Sequence, residues 1–303
     1  MPVAGLNRFR VLILLVVGVA AISSAAVLIR LADAPPLVAA SCRLVIASIV
    51  LLPFALPKLK RAIMRWSAAD KWLMLLAGGA VALHFWLWIT SLSYTSIASS
   101  VVLVTSHPAF VALLSYVLWR ERLNRLGIAG IMLALFGVIV INSGHLAFGV
   151  ETILGNAMAL LAAVAMGIYL LIGRHLRARI DALSYLAVVY TLAAILLVAA
   201  ALATGDSLWG YSADTYWMLL LLGLVPQLVG HTSLNLAVRR VPATLVSVAI
   251  LGEPVGATLL GWGILGEAPG LNELLGGLAI LGGILLVVIR GNVSADEIEE
   301  AAV

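Results

Sequence analysis

Apolar residues fall along this chain in long blocks, not in alternation with polar ones. Windows of about 20 mostly apolar residues, the length that crosses a bilayer core, recur at 11–32, 36–56, 71–92, 97–118, 126–142, 153–173, 184–203, 215–236, 242–265 and 272–290. Short polar loops separate them; "LATGDSLWGYSADTY" is the longest outside loop, and "AVRRVPA" at 237–243 is the weakest break. The pattern predicts an all-α polytopic membrane protein with ten transmembrane helices. Arg8 and Arg10 followed by an apolar run resemble a secretory leader. Further apolar segments follow to the end of the chain, so the first window reads as a retained helix.

Charge then orients the stack, because Lys and Arg are retained on the cytoplasmic side. With the N-terminus inside, 16 of the 18 Lys and Arg fall in inner loops or at inner ends; Arg30 and Arg43 are the exceptions. The outer loops carry Asp33, Glu151, Asp206, Asp214, Glu267 and Glu273. Both termini are expected in the cytoplasm, with the chain in the cytoplasmic (inner) membrane. Only 11% of residues are charged and 63% are hydrophobic, against about 25% charged in a soluble domain. The formal net charge of +4 therefore reads as a topology signal, and no nucleic-acid partner is expected. Cys42 is the single cysteine, which excludes an intrachain disulfide framework. No metal-ligand spacing appears, so no metal and no cofactor are expected. The tail 291–303 is acidic and reads as a solvated cytoplasmic end.

A repeat lies inside the chain. The stretch "SHPAFVALLSYVLWRERL" from Ser106 and the stretch "GEPVGATLLGWGILGEAP" from Gly252 superpose with a constant shift of 146. The shift places Pro108 on Pro254, Glu121 on Glu267, Gly130 on Gly276 and Gly137 on Gly283. Each half then holds five spans. An odd number sends the second half into the membrane from the opposite side, the inverted-repeat architecture of many secondary transporters. The expected domains are 1–146 and 147–290, with the tail beyond.

The Pro-centred helix, the terminal Glu of "LWRERL" and "ILGEAP", and the Gly-rich last helix of each half resemble the EamA domain of the drug/metabolite transporter superfamily. "CRLVIASIVLLP" at 42–53 is similar to that family's second-helix pattern around an arginine. The resemblance implies ten helices around a central cavity, and movement of small metabolites, commonly export of amino acids or related compounds.

Polar residues inside the windows are the site candidates. Apart from Glu273 at the outer edge of the last window, Glu253 is the only carboxylate within a span, and it sits near mid-depth, where an ionised group costs about 2.5–3.5 kcal/mol on insertion scales. Pro254 beside it and Pro108 and Pro226 elsewhere break helical hydrogen bonding. The shift of 146 places His107 opposite Glu253, each followed by proline. The functional reading is that Glu253 binds a substrate amine or a proton, with His107 assisting; the bland one is a buried acid needed for helix packing. Arg43 either meets Glu253 or a substrate carboxylate, or snorkels to the outer headgroups. His84 and Trp86 in "ALHFWLWIT" are further cavity candidates, with Trp88 assigned to the outer aromatic belt. Gln227, His231 and Asn235 share one face by their i+4 spacing, and Tyr169 is a weaker candidate. Glu121 and Glu267 read as helix-end caps or ion-pair partners.

"GWGILG" at 261–266 lacks the preceding strand and following acid of a dinucleotide site, and no ATP-binding or hydrolase motif appears. The reading is a transporter, not an enzyme, with a small-molecule substrate and the lipid bilayer as surroundings; proton coupling through Glu253 or His107 and facilitated uniport are equally compatible with the sequence. A polytopic lipid-modifying enzyme is the rival from another class. A nucleotide-sugar or sugar-phosphate exchanger is disfavoured, since no lysine lies deep in any span to neutralise phosphate.

Overall fold

The computed structural model describes residues 3–119, 125–145, 150–177, 179–231, 233–234 and 249–290. The regular elements among the described residues are all helical. They are α1 (Val3–Ser23), α2 (Ala25–Leu31), α3 (Pro36–Ile63), α4 (Ala68–Ser91), α5 (Ile97–Val104), α6 (His107–Trp119), α7 (Arg125–His145), α8 (Val150–Arg177), α9 (Ala182–Ala203), α10 (Ala213–Leu222), a π-helical segment (Gly223–Gly230) continuing α10, α11 (Gly252–Leu265) and α12 (Leu271–Arg290). Among the described residues, six stretches are long and apolar enough to cross a membrane: Leu12–Leu31, Pro36–Leu59, Ala68–Ser91, Val150–Leu176, Ala182–Ala203 and Ala213–Gly230. Ile97–Val111, Arg125–Ile141 and Leu271–Leu286 are shorter apolar helices. The first part of the 242–265 window, together with Glu121, Asn235 and the tail, lies outside the described residues.

Helix starts follow local chemistry. Ser67 accepts from the Asp70 amide while Asp70 accepts from the Ser67 amide, a reciprocal cap on α4 that satisfies otherwise orphan donors. Ser96, Asp181 and Ser212 cap α5, α9 and α10 in the same position. Gly266 ends α11 with φ 73, a left-handed conformation suited to glycine.

The α7–α12 contact shows how the halves meet. A Cβ on Gly137 would meet the Gly276 carbonyl oxygen at 2.5 Å, and one on Gly276 would meet the Gly137 oxygen at 2.6 Å. Gly283 is held just as closely against the oxygen of Gly130. Residue 130 thus meets 283 while 137 meets 276, so the two helices run antiparallel. The shift of 146 converts one contact into the other. An interface in which i meets j and j meets i is the signature of a two-fold axis. Small residues let the backbones approach this closely where lipid supplies no hydrophobic drive between helices.

Elsewhere α3 packs on α9, α4 on α8 and α9, and α1 on the π segment and α11. Leu44, Met74, Ile89, Leu92, Ile97 and Tyr185 are fully buried between them. At one end of the bundle, Arg30 donates to the Thr95 carbonyl at 2.9 Å and pairs with Glu267 at 3.4 Å. Glu267 also accepts from the Ile97 amide at 3.2 Å. Glu273 accepts from the Ser96 and Ser99 hydroxyls and the Gly270 amide, and Thr95 donates to Asn156 at 2.8 Å. At the opposite, arginine-rich end Arg179 pairs with Asp70 at 3.2 Å.

Candidate functional site

Two of the expected long helices are broken where the prolines lie. Thr105 and Ser106 turn the chain between α5 and α6, and their hydroxyls donate to the carbonyls of Val101 and Leu103 at 2.6 Å each. His107 and Pro108 then open α6. Leu251 turns, and Gly252, Glu253 and Pro254 open α11. Pro108 and Pro254 therefore sit in first turns, where no amide donor is missed, and do not kink continuous helices. Pro226 lies within the π segment, whose wider turn accommodates it. At the start of α6 the Ala109 amide donates to the Ser106 carbonyl at 3.0 Å, and Glu253 sits in the first turn of α11, where a carboxylate is favoured by the helix dipole. Glu253 precedes Leu265, the end of α11, by 12 residues, which is about 18 Å of helix. It therefore lies deep in the bundle.

A cavity of about 430 Å³ opens between these elements. Arg43 from α3, His84, Phe85 and Trp88 from α4, His107 from α6, Tyr169 from α8, Tyr185 and Tyr190 from α9, Gln227 and His231 from the π segment and its end, and Glu253 from α11 all line it. Its lining reaches Ala182 and Leu183, the first residues of α9 at the arginine-rich end. Toward the other end it stops at Trp88, about one turn inside α4.

Arg43 is 2% exposed and among the largest fully buried side chains, so it does not snorkel to a headgroup. Its Nε donates to Gln227 Oε1 at 2.7 Å, and its Nη2 stands 3.5 Å from His231 Nε2. The guanidinium carbon lies 4.4 Å from the Phe85 ring centroid and 5.6 Å from that of Trp88, within cation–π range. The ion pairs seen among the described residues are Arg30–Glu267 and Arg179–Asp70; Arg43 and Glu253 share the cavity without joining. Among the described residues, Arg43 Nη1, Gln227 Nε2 and Trp88 Nε1 are buried with no hydrogen-bond acceptor.

His84 Nδ1 donates to the Ala162 carbonyl at 2.9 Å, and His107 Nδ1 faces the Val104 carbonyl at 3.4 Å. A carbonyl only accepts, which fixes the proton on Nδ1 of His84 and leaves its Nε2 as an acceptor. Tyr169 and Tyr185 stack at 5.9 Å with 16° between ring planes.

Two expectations change. Trp86 is 42% exposed and is not part of the cavity lining. Trp88, expected in the outer belt, is 4% exposed and lines the cavity. Helical spacing explains both, since residues 84, 85 and 88 share a face while 86 turns away. Tyr185 carries no mark of its own in the sequence, because "ALSYLAVVY" after the Asp181 cap holds no charge or break.

Buried polar groups around a cavity, in a bundle of apolar helices broken near its middle, define a membrane transporter. The sequence matches the EamA-like transporter family at residues 9–143 and again at 153–289, and the chain belongs to that family with two EamA repeats. An "Uncharacterized transporter" of Clostridium kluyveri is 24% identical over 263 residues, covering 85% of this chain and 84% of that one. One of Archaeoglobus fulgidus, with the same description, is 27% identical over 253 residues, covering 84% and 88%. A solved structure described as "Crystal structure of protein" superposes with a TM-score of 0.66 at 19% identity, covering 93% of this chain and 98% of that one, and it supports the fold alone.

Proposed function

We propose that the chain is a ten-helix secondary active or facilitative transporter built from two inverted five-helix repeats, 1–146 and 147–290. It moves small polar or amphipathic metabolites, amino-acid-like compounds first, outward across the cytoplasmic membrane by alternating access. The observation that carries this reading is the cavity of about 430 Å³ walled by ionisable side chains from both repeats. The antiparallel, two-fold glycine contact of α7 with α12 supports the inverted arrangement. The charge distribution puts the arginine-rich end and both termini in the cytoplasm. In that frame the cavity reaches toward the cytoplasm, while the Arg30–Glu267 and Glu273 bonds close the outer end. Glu253, at a helix start on the cavity wall, is the candidate for a substrate amine or a coupling proton.

Reconstituted vesicles loaded with labelled amino acids, polyamines, nucleosides or sugar phosphates test this by counterflow at acidic and alkaline pH, beside Glu253→Gln. Saturable flux of an amino-acid-like compound is expected, reduced or made insensitive to pH by the substitution. Saturable flux of sugar phosphates alone would reject the substrate class. An unchanged rate and pH profile in Glu253→Gln would return that residue to helix packing.

A further inference from the structure

The three orphaned nitrogens in the cavity wall have one chemistry in common: Arg43 Nη1, Gln227 Nε2 and Trp88 Nε1 are all donors. They are also neighbours. Gln227 accepts from Arg43 Nε, and the Trp88 ring lies within cation–π distance of the same guanidinium. Each parent side chain is at most 4% exposed, so an acceptor for the three nitrogens has to come from within the cavity these residues line. A buried donor without an acceptor is destabilising, and a buried guanidinium without an anionic partner more so.

Resting on the transporter reading above, we propose that Arg43, Gln227 and Trp88 form the carboxylate-reading head of the cavity. A carboxylate brings two oxygens with about four lone-pair sites, enough for all three donors at once. Gln227 holds the guanidinium at Nε and Phe85 covers its face, and Nη2 stands 3.5 Å from His231 Nε2, which leaves Nη1 for the ligand. Glu253 lines the same cavity and disfavours further negative charge there, so the ligand carries at most one net negative charge; a phosphate dianion is disfavoured. Tyr169, Tyr185, Leu170 and Leu186 line the far part of the cavity and receive an apolar or aromatic body. The ligand class is a monocarboxylate or zwitterion with a sizeable apolar group.

Purified protein is titrated with L-phenylalanine, 3-phenylpropionate, phenylalaninamide and phenethylamine, reading thermal stabilisation and tryptophan fluorescence. The first two share a carboxylate and the last two lack it, so the wild-type comparison needs no variant to fold. Both acids are expected to bind at least about tenfold more tightly than the two compounds without a carboxylate, a difference of about 1.4 kcal/mol. Arg43→Lys keeps the charge and loses the fork, and is expected to weaken the acids about tenfold. Trp88→Phe keeps the ring, loses the N–H and weakens them by a smaller factor. Binding of the amide as tight as that of the acid, or no binding of either acid, overturns the proposal. Binding of phenethylamine alone, abolished in Glu253→Gln, overturns it too while leaving the transporter reading intact.

Discussion

The glycine pairs between α7 and α12 allow a quantitative test of how the two halves are joined. In Gly137→Ala the new methyl would stand 2.5 Å from the Gly276 oxygen, 2.7 Å from Ile280 Cγ1 and 2.9 Å from the Ile280 nitrogen. Two of these are backbone atoms, so no rotamer change relieves them and the helices must separate. Overpacking of this kind costs about 1–3 kcal/mol. Replacing a helical glycine by alanine returns about 0.5–1 kcal/mol, so a net loss of about 1–2 kcal/mol is expected. Gly79 is the control: it lies within α4 and a Cβ there meets nothing within 4 Å, so Gly79→Ala should stabilise by about 0.5–1 kcal/mol. Gly276→Ala, whose methyl would stand 2.6 Å from the Gly137 oxygen, should match Gly137→Ala. Once the helices have parted for one methyl they accept the second more cheaply. The double variant should therefore fall short of additivity by at least about 0.5 kcal/mol. Reversible unfolding in mixed micelles measures all four. Gly137→Ala as stable as Gly79→Ala, or a strictly additive double variant, would refute the close two-fold contact.

The polar knot around Arg30 should act as a latch. Its ion pair is partly exposed, with side-chain exposures of 33% and 28%, so Arg30→Gln or Glu267→Gln should weaken the closed end by about 0.2–1 kcal/mol, up to about a fivefold shift toward the open state. In a Cys42→Ser background, labelling of Thr105→Cys by an impermeant thiol reagent from that side should rise accordingly; an unchanged rate would argue that apolar packing alone closes it. At the other end, burial would raise the Asp181 carboxyl, but bonds from the Ser184 and Leu183 amides and nearby Lys58 hold it below the usual value. A depressed carboxylate stabilises above its unfolded pKa, about 3.9, and loses that contribution as pH falls through its folded value. Asp181→Ala should cost about 1 kcal/mol at neutral pH, with the gap to wild type closing in acid, as read by thermal unfolding across pH.

The apolar blocks were legible because a lipid solvent leaves no choice of pattern: a span must be apolar for its full length. The glycine register of α7 and α12 was legible for a related reason, since Gly130, Gly137, Gly276 and Gly283 repeat with one shift and meet in pairs. Pro108 and Pro254 marked true interruptions, yet the sequence could not tell a kinked helix from a helix restarting at its first turn. That choice depends on Thr105, Ser106 and Leu251, which bond or turn locally and carry no strong signature. The cavity was harder to read. Arg43, Gln227 and Glu253 announce themselves as polar residues in apolar surroundings, whereas Tyr185 looks like any core aromatic. Trp86 and Trp88 differ by two positions in one tryptophan-rich run, and only the rotation of α4 against α8 and α9 decides which faces inward.

The two-fold relation between the halves extends to the backbone and stops at the chemistry of the cavity. The family repeats at 9–143 and 153–289 imply a shift of 144 to 146, which carries Arg43 onto Ala187, Val188 or Val189 and Gln227 back onto Val81, Ala82 or Leu83. None of these is polar, and Val81 lines the same cavity. His107 is likewise matched by an acid, Glu253, and not by a second histidine. Rocking two similar halves past each other needs similar scaffolds, which the glycine contact and the paired helix breaks provide. Reading a ligand with distinct ends needs the opposite. Had the Arg43–Gln227 pair been duplicated, two guanidiniums would face one cavity of about 430 Å³, raising the desolvation penalty and admitting the ligand in two orientations. Under the proposed transport cycle, one polar head in a two-fold frame would keep the ligand's orientation fixed while the frame around it changes state.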